Sequence, residues 1–272
     1  MNNLEKKILD ILEDLRLNYN VTSLKTEFEK EGASFEETLR LKEFAILSEL
    51  DLTIKIGGCE AVKELYEAKY MDANVIIAPM IETPYALKKF SQAIERVFDI
   101  TERKTKKFFI NIETITGYKN LQEIVNSEYF TNISGIILGR SDMVDSMELP
   151  KEDIESEKIL NIALDIADKM FSLGKEFIIG GEVSVNSIQF FNKLPRNTLN
   201  KFETRKIVFD AQKSIQNIDI NKGIIKALEF EILWLKNKQE NYEEIYEEDT
   251  NRLNLLQKRY ELAMTKAGDL NE

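Results

Sequence analysis

Two acidic residues that close apolar runs carry the clearest chemical promise in this chain. Phe108-Phe109-Ile110-Asn111-Ile112 ends on Glu113, and Gly135-Ile136-Ile137-Leu138 leads through Gly139-Arg140-Ser141 to Asp142. In a parallel sheet such positions fall at the C-terminal edge of the strands, where side chains can converge on a ligand. Taken singly, each has an ordinary explanation: Glu113 as a capping or solvated strand end, Asp142 as a helix N-cap. Taken together, two carboxylates from adjacent strand ends make half of an oxygen-only metal site, with water and substrate completing the sphere. Gly139 would let the backbone approach such a ligand closely.

Other segments repeat the pattern of an apolar run followed by small or charged residues. Leu52-Thr53-Ile54-Lys55-Ile56 leads into Gly57-Gly58. Lys55 there could form a Schiff base, and the glycine amides could bind a carboxylate or phosphate at the start of the next helix. A lysine snorkelling from the strand rim fits equally well. Ile76-Ile77-Ala78-Pro79 leads to Glu82, a helix start. Ile178-Ile179 leads to Gly180-Gly181. Arg205 is an anion anchor if it faces the interior and a surface ion-pair residue if it does not.

The chain has no histidine. That removes Ser-His-Asp and Cys-His catalysis and His-ligated zinc. Any metal must sit on oxygen ligands, which favours Mg²⁺ or Mn²⁺. Acid–base work then falls to carboxylates, Lys, Tyr or metal-bound water. The net charge of −11 and the lack of any basic run longer than residues 104–107 argue against nucleic acid as a partner. No stretch approaches 18 apolar residues, so no membrane span is expected. Residues 1–19 are amphipathic and charged, unlike a signal peptide. The single cysteine, Cys59, allows no internal disulfide, and a cytoplasmic location is expected.

The elements that would position these residues alternate. Apolar spacing predicts a helix over 3–17, a strand over 21–25, and a helix after Ser34 with Glu37 completing a capping box. Short apolar runs follow at 52–56, 75–78, 108–112, 135–138 and 177–179, with a weaker one at 201–207. Helical segments such as 60–69, 85–98 and 154–173 lie between them. Seven strands alternating with helices imply parallel strands joined by crossovers. No G-x-G-x-x-G follows any strand, which disfavours a nucleotide-binding open sheet. The expected fold is α/β: a (β/α)8 TIM-type barrel with an extra N-terminal helix and long C-terminal helices.

Residues 1–222 would form the barrel and 223–272 a helical extension. Ile224, Leu228, Ile232 and Leu235 share one helical stripe. Tyr242, Tyr246, Leu253, Leu256, Tyr260 and Ala263 fall on heptad positions, with Asp249 as a polar interruption. The extension is either a final barrel helix with a solvated tail or a surface that packs on another subunit, giving a homo-oligomer.

Read in order, Ala78-Pro79-Met80-Ile81-Glu82-Thr83, the 108–118 segment, Gly135 to Asp142 and the Gly180-Gly181 pair resemble the HpcH/HpaI aldolase and citrate lyase β-subunit superfamily. The resemblance runs from about residue 21 to 205. It implies a modified TIM barrel, often with a C-terminal helix exchanged between subunits. It places Glu113 and Asp142 at the metal-binding acids. Lys55 falls near an arginine that grips the substrate, and Gly180 and Gly181 where backbone meets substrate. Two departures stand out. The loop that carries an acid–base histidine in the aldolases reads Glu29-Lys30-Glu31-Gly32-Ala33-Ser34 here, and Arg140 stands where aldolases commonly have proline. The first moves the reading toward the citrate lyase-like branch, and the second marks a divergent subgroup.

The functional expectation is a metal-dependent carbon–carbon lyase that works through an enolate of a 2-oxo acid or an acyl-CoA substrate. Lys55, Arg140 and Glu31 are the catalytic candidates. Gly57, Gly58, Gly139, Gly180, Gly181 and Arg205 are the substrate-binding candidates. Lys55, Arg140 or Arg205 would neutralise substrate charge, and Glu31 or metal-bound hydroxide would be the base. Two alternatives stand beside this: a synthase using phosphoenolpyruvate or an oxaloacetate-like donor, and a non-catalytic member with a structural role.

Overall fold

Strand β1 (Val21–Glu27) begins a closed barrel that continues through β2 (Asp51–Lys55), β3 (Val75–Ala78), β4 (Lys107–Ile112), β5 (Gly135–Gly139), β6 (Glu176–Gly180), β7 (Lys201–Glu203) and β8 (Ile207–Asp210), in that spatial order. In this computed structural model the backbone of residues 1–269 is described, and with it the side chains apart from 244–245 and 259–269. The heptad positions Tyr260 and Ala263 therefore lie outside the described side chains.

The expected TIM-type barrel is present, with one difference in its last quarter. The weak run at 201–207 is not one strand. It is the first arm of a hairpin: β7 runs parallel to β6, Thr204-Arg205-Lys206 turns the chain, and β8 returns antiparallel to both β7 and β1. The strands are only three and four residues long, too short to give a periodic signal. The turn lifts Arg205 to the same rim as the strand ends that carry Lys55 and Glu113.

The helices are α1 (Asn3–Tyr19), α2 (Phe35–Leu47), α3 (Val62–Tyr70), α4 (Pro84–Val97), α5 (Ile100–Thr105), α6 (Ile115–Lys119), α7 (Leu121–Asn126), α8 (Arg140–Ser146), α9 (Glu157–Ser172), α10 (Ser187–Phe191), α11 (Ala211–Ser214) and α12 (Ile220–Asp269). Local signals explain several boundaries. Ser34 accepts from the Glu37 N–H at 3.1 Å while the Glu37 carboxylate takes the Ser34 N–H, a capping box. Thr83 caps α4, with Pro84 pre-set at its first position.

Two apolar cores follow from strand alternation. One fills the space between strands and helices, with Leu24, Leu52, Ile54, Ile76, Phe108, Ile110, Ile136 and Phe177 facing out. The other, Val75, Ile77, Phe109, Ile137 and Ile178, plugs the barrel interior on the β3–β6 side. On the β1–β2 side the interior is polar, where Ser23 and Thr53 share a 2.7 Å hydrogen bond. Burying the oily plug low in the barrel leaves the next inward positions on each strand to form the mouth. No described helix is long and apolar enough to cross a membrane.

Candidate active site

Asn111 and Glu113 continue the inward phase of Phe109, so the plug below becomes a polar floor above. Glu113 is 2% exposed and takes three donors. Its Oε1 accepts the Met80 N–H at 2.9 Å, and its Oε2 accepts Asn111 Nδ2 at 2.8 Å and Lys55 Nζ at 3.4 Å. Met80 holds a left-handed φ of +48°, a costly conformation for a side-chain-bearing residue. It aims that N–H at the carboxylate. Gly139 is required beside it, because a Cβ there would sit 2.7 Å from Glu113 Cβ and 2.8 Å from its Oε2. Glu113 is thus no cap; Thr114 caps α6 instead.

Asp142 sits in the first turn of α8, whose N-cap is Gly139. Its side chain is 31% exposed and meets Lys30 Nζ at 3.4 Å. Glu113 and Asp142 line the same cavity of about 360 Å³, together with Lys55, Gly139, Gly180, Gly181 and Arg205. A second cavity of about 490 Å³ adjoins it and shares Lys55, Glu113 and Asp142. Gly57, Gly58, Cys59, Pro79 and Met80 line this second space and make it largely apolar.

Nine of the eleven residues singled out from the sequence therefore meet at one mouth. The other two point elsewhere. Arg140 is fully buried and donates to the carbonyls of Gly180 (3.2 Å) and Gly181 (3.0 Å) and to Ser187 Oγ (3.2 Å). Its guanidinium lies over the rings of Phe190 and Phe191. Burial pushes its pKa down to about 10, against the pull of Glu155 and Glu182. It therefore holds the β6 exit rather than a substrate. Gly181, at φ +81°, packs so close to the start of α8 that a Cβ would meet Ser141 N at 2.5 Å. Glu31 faces away from the mouth, where Lys206 Nζ claims its carboxylate and Thr26 Oγ1 lies at 3.3 Å. Of the three cations singled out, Lys55 and Arg205 line the mouth and Arg140 does not, and Glu31 lies outside it. Arg205 itself is about half exposed and meets Glu231 at 3.6 Å.

Sequence reasoning missed Lys25, Glu27 and Glu203. Lys25 is buried between Glu203 Oε1 at 2.5 Å and Glu27 Oε1 at 3.3 Å. Burial works against its charge, yet the two carboxylates hold its pKa well above the ordinary lysine value. Burial likewise opposes the ionised form of Glu27, and Lys25 and Lys55 outweigh it, leaving its pKa below the usual range. Alternation along β1 could have found both: Ser23, Lys25 and Glu27 share one phase.

Do these residues suit a divalent metal? Among the described residues no three acidic or cysteine side chains converge tightly enough to make a closed site. The donor set is nevertheless right for a hard cation with an open sphere. Asp142 has one oxygen engaged by Lys30, and Glu113 Oε1 takes only one donor. Each therefore keeps free lone pairs at the shared cavity.

Residues 54–175 match the HpcH/HpaI aldolase/citrate lyase family model, the family whose motifs the strand ends resemble. Solved structures share the fold. One is an HpcH/HpaI aldolase from Desulfitobacterium hafniense DCB-2, with TM-score 0.59 and 9% identity over 75% of this chain and 82% of that one. A second is the citrate synthase SbnG, with TM-score 0.57 and 14% identity over 86% of this chain and 90% of that one. A third is a family protein from Burkholderia cenocepacia J2315, with TM-score 0.53 and 11% identity over 68% of this chain and 88% of that one. At such identities the likeness shows the fold alone. No curated protein matches the chain in sequence.

Proposed function

We propose that this chain breaks or makes a carbon–carbon bond through an enolate of a 2-oxo acid or a citrate-lyase-like acyl-CoA substrate. The observation that carries this is the convergence of Glu113, Asp142 and Lys55 on one cavity at the C-terminal ends of the barrel strands. Glu113 and Asp142 would hold Mg²⁺ or Mn²⁺. Bound there, the ion would supply Lewis acidity to a carbonyl oxygen as negative charge develops on it. Lys55, fixed by Glu113, faces the same oxygens and neutralises a substrate carboxylate, and Arg205 closes the opposite rim. Gly58 leaves open space for close approach, whereas Gly57, Gly139, Gly180 and Gly181 make room for Glu29, Glu113, Glu203 and the start of α8 and so shape the mouth from behind.

Without histidine, the proton must move through the other side chains of the mouth. Glu27 lies next to Lys55 in the β1–β2 register and lines both cavities. It is a carboxylate of the mouth that would take a proton from carbon; Lys25 and Lys55 keep it ionised and ready to accept, while lowering its basicity. The apolar second cavity would receive the part of the substrate that does not react.

The test is exchange of the methyl protons of pyruvate and of an acetyl thioester with solvent deuterium, followed by NMR with and without Mg²⁺. The proposal expects exchange with at least one of them that depends on metal and on Glu113. Exchange that persists unchanged in Glu113→Gln, or none with either compound, would refute it. The synthetic direction is checked by phosphate release from phosphoenolpyruvate.

A further inference from the structure

Helix α12 carries two opposed stripes. Ile220, Ile224, Ala227, Phe230, Trp234 and Asn237 are buried. They lie on the barrel side, where the helix packs along α1. The opposite face presents Ile225, Leu228, Ile232, Leu235, Gln239, Tyr242, Tyr246, Asp249, Leu253 and Leu256, in alternating steps of three and four. The eight apolar members of this stripe are 46–73% exposed. The stripe keeps one heptad frame from Ile225 to Leu256, about 46 Å at the helical rise. Tyr260 and Ala263 continue the frame in the sequence.

The far half of the helix has little else to hold it. Tyr242, whose hydroxyl donates to Glu37 at 2.5 Å, is the last described residue with a side-chain hydrogen bond or ion pair to the barrel. Beyond it the helix continues to Asp269, and its described side chains are almost all exposed. A solvated helix of that length is marginal on propensity alone, and its leucines and tyrosines find no cover on their own chain.

We infer that this stripe is the seam of a parallel, in-register, two-stranded coiled coil with a second copy of the chain. Residue choice points to that occupant. Ile225 and Ile232 fall at a positions, and Leu228 and Leu235 at d, the combination that favours two parallel strands. The flanking charges agree. In parallel register Glu231 lies opposite Lys236 of the second copy and Lys238 opposite Glu243, opposite signs in each case, with Glu231 and Lys238 shared with Arg205 and Glu37 of their own chain. Gln239 at an a position fixes the register. Asp249 at a d position meets its own copy, a like-charge contact that holds the association below what the leucines would give. The barrels stay on the outer faces, because each α12 keeps its buried stripe against its own α1. The inference is independent of the chemistry at the mouth.

Sedimentation equilibrium of the full chain tests it. The wild type is expected to be a dimer, and Ile232→Glu with Leu235→Glu a monomer, weakened at least roughly 100-fold by two charges at the seam. Both residues are exposed in the single chain, so the barrel's thermal melt should not move. Asp249→Leu should tighten the dimer. For orientation, Gln239→Cys in a Cys59→Ser background should form an intersubunit disulfide on mild oxidation. A monomeric wild type, an oligomer that survives the double glutamate variant, or no 239–239 disulfide would each overturn the proposal.

Discussion

Replacing Lys25 with methionine should cost far more than losing a surface ion pair. The methionine keeps most of the stem, so packing is preserved, but Glu27 and Glu203 are left facing a buried space without their cation. Lys25 is 5% exposed, Glu203 4% and Glu27 8%, so water offers little relief. Removing one partner from a buried ion cluster costs about 3–5 kcal/mol. For a domain of this size, at about 2–4 °C per kcal/mol, that is a fall in Tm of about 6–20 °C. Circular dichroism melts would read it, and Lys25→Met with Glu203→Gln supplies the control. The double variant removes one of the stranded charges and should recover part of the loss, with a coupling of about 1–3 kcal/mol. A loss below about 1 kcal/mol for the single variant, or strict additivity in the pair, would refute the reading of Lys25 as the cation that holds this side of the barrel together.

Three further outcomes follow from the same geometry. Gly139→Ala would press a methyl on Glu113, 2.7 Å from its Cβ; the fold should survive while exchange activity falls by about 100-fold, and full activity would mean Glu113 needs no fixed position. Arg140→Met should destabilise by about 3 kcal/mol by stranding the Gly180 and Gly181 carbonyls, with metal affinity unchanged; an intact melt with a raised KM would place Arg140 in the mouth after all. Tm against pH should be flat for the Lys25 cluster across the neutral range. Glu27, with its pKa lowered from 4.5, contributes fully above that value and loses its contribution as pH falls through its lower folded value. Lys25, raised from 10.5, contributes fully below that value and loses its contribution only as pH rises past its higher folded one. Lys25→Met should lower the plateau, abolish the alkaline loss because no Lys25 remains to titrate, and weaken the acid loss because Glu27 has lost the cation that most lowers its pKa; an unchanged profile would contradict the coupling.

The parts of the fold that rest on repetition were legible in the sequence. Short apolar runs closed by glycine, proline or a carboxylate gave β2 to β6, and the capping box at Ser34 and Glu37 gave the start of α2. What stayed hidden was set by partners far away along the chain. The β7–β8 hairpin joins two strands too short for a period, and only the barrel's closure onto β1 defines it. Lys25 and Glu203 are 178 residues apart, and nothing local marks either as buried. Arg140 and Glu31 sit in segments that resemble a family's site loops. Their neighbours Ser187, Phe190 and Lys206 decide instead where they point.

The central claim is that Glu113 and Asp142 form a divalent-metal site. Calorimetric titration of the purified, chelator-treated protein with Mn²⁺, in the presence of oxalate as a two-oxygen stand-in for substrate, tests it most directly. One Mn²⁺ per chain is expected, lost in Glu113→Gln and in Asp142→Asn while both variants keep the wild-type circular dichroism spectrum. Absence of binding to the wild type, or binding that is unchanged in both variants, would contradict it.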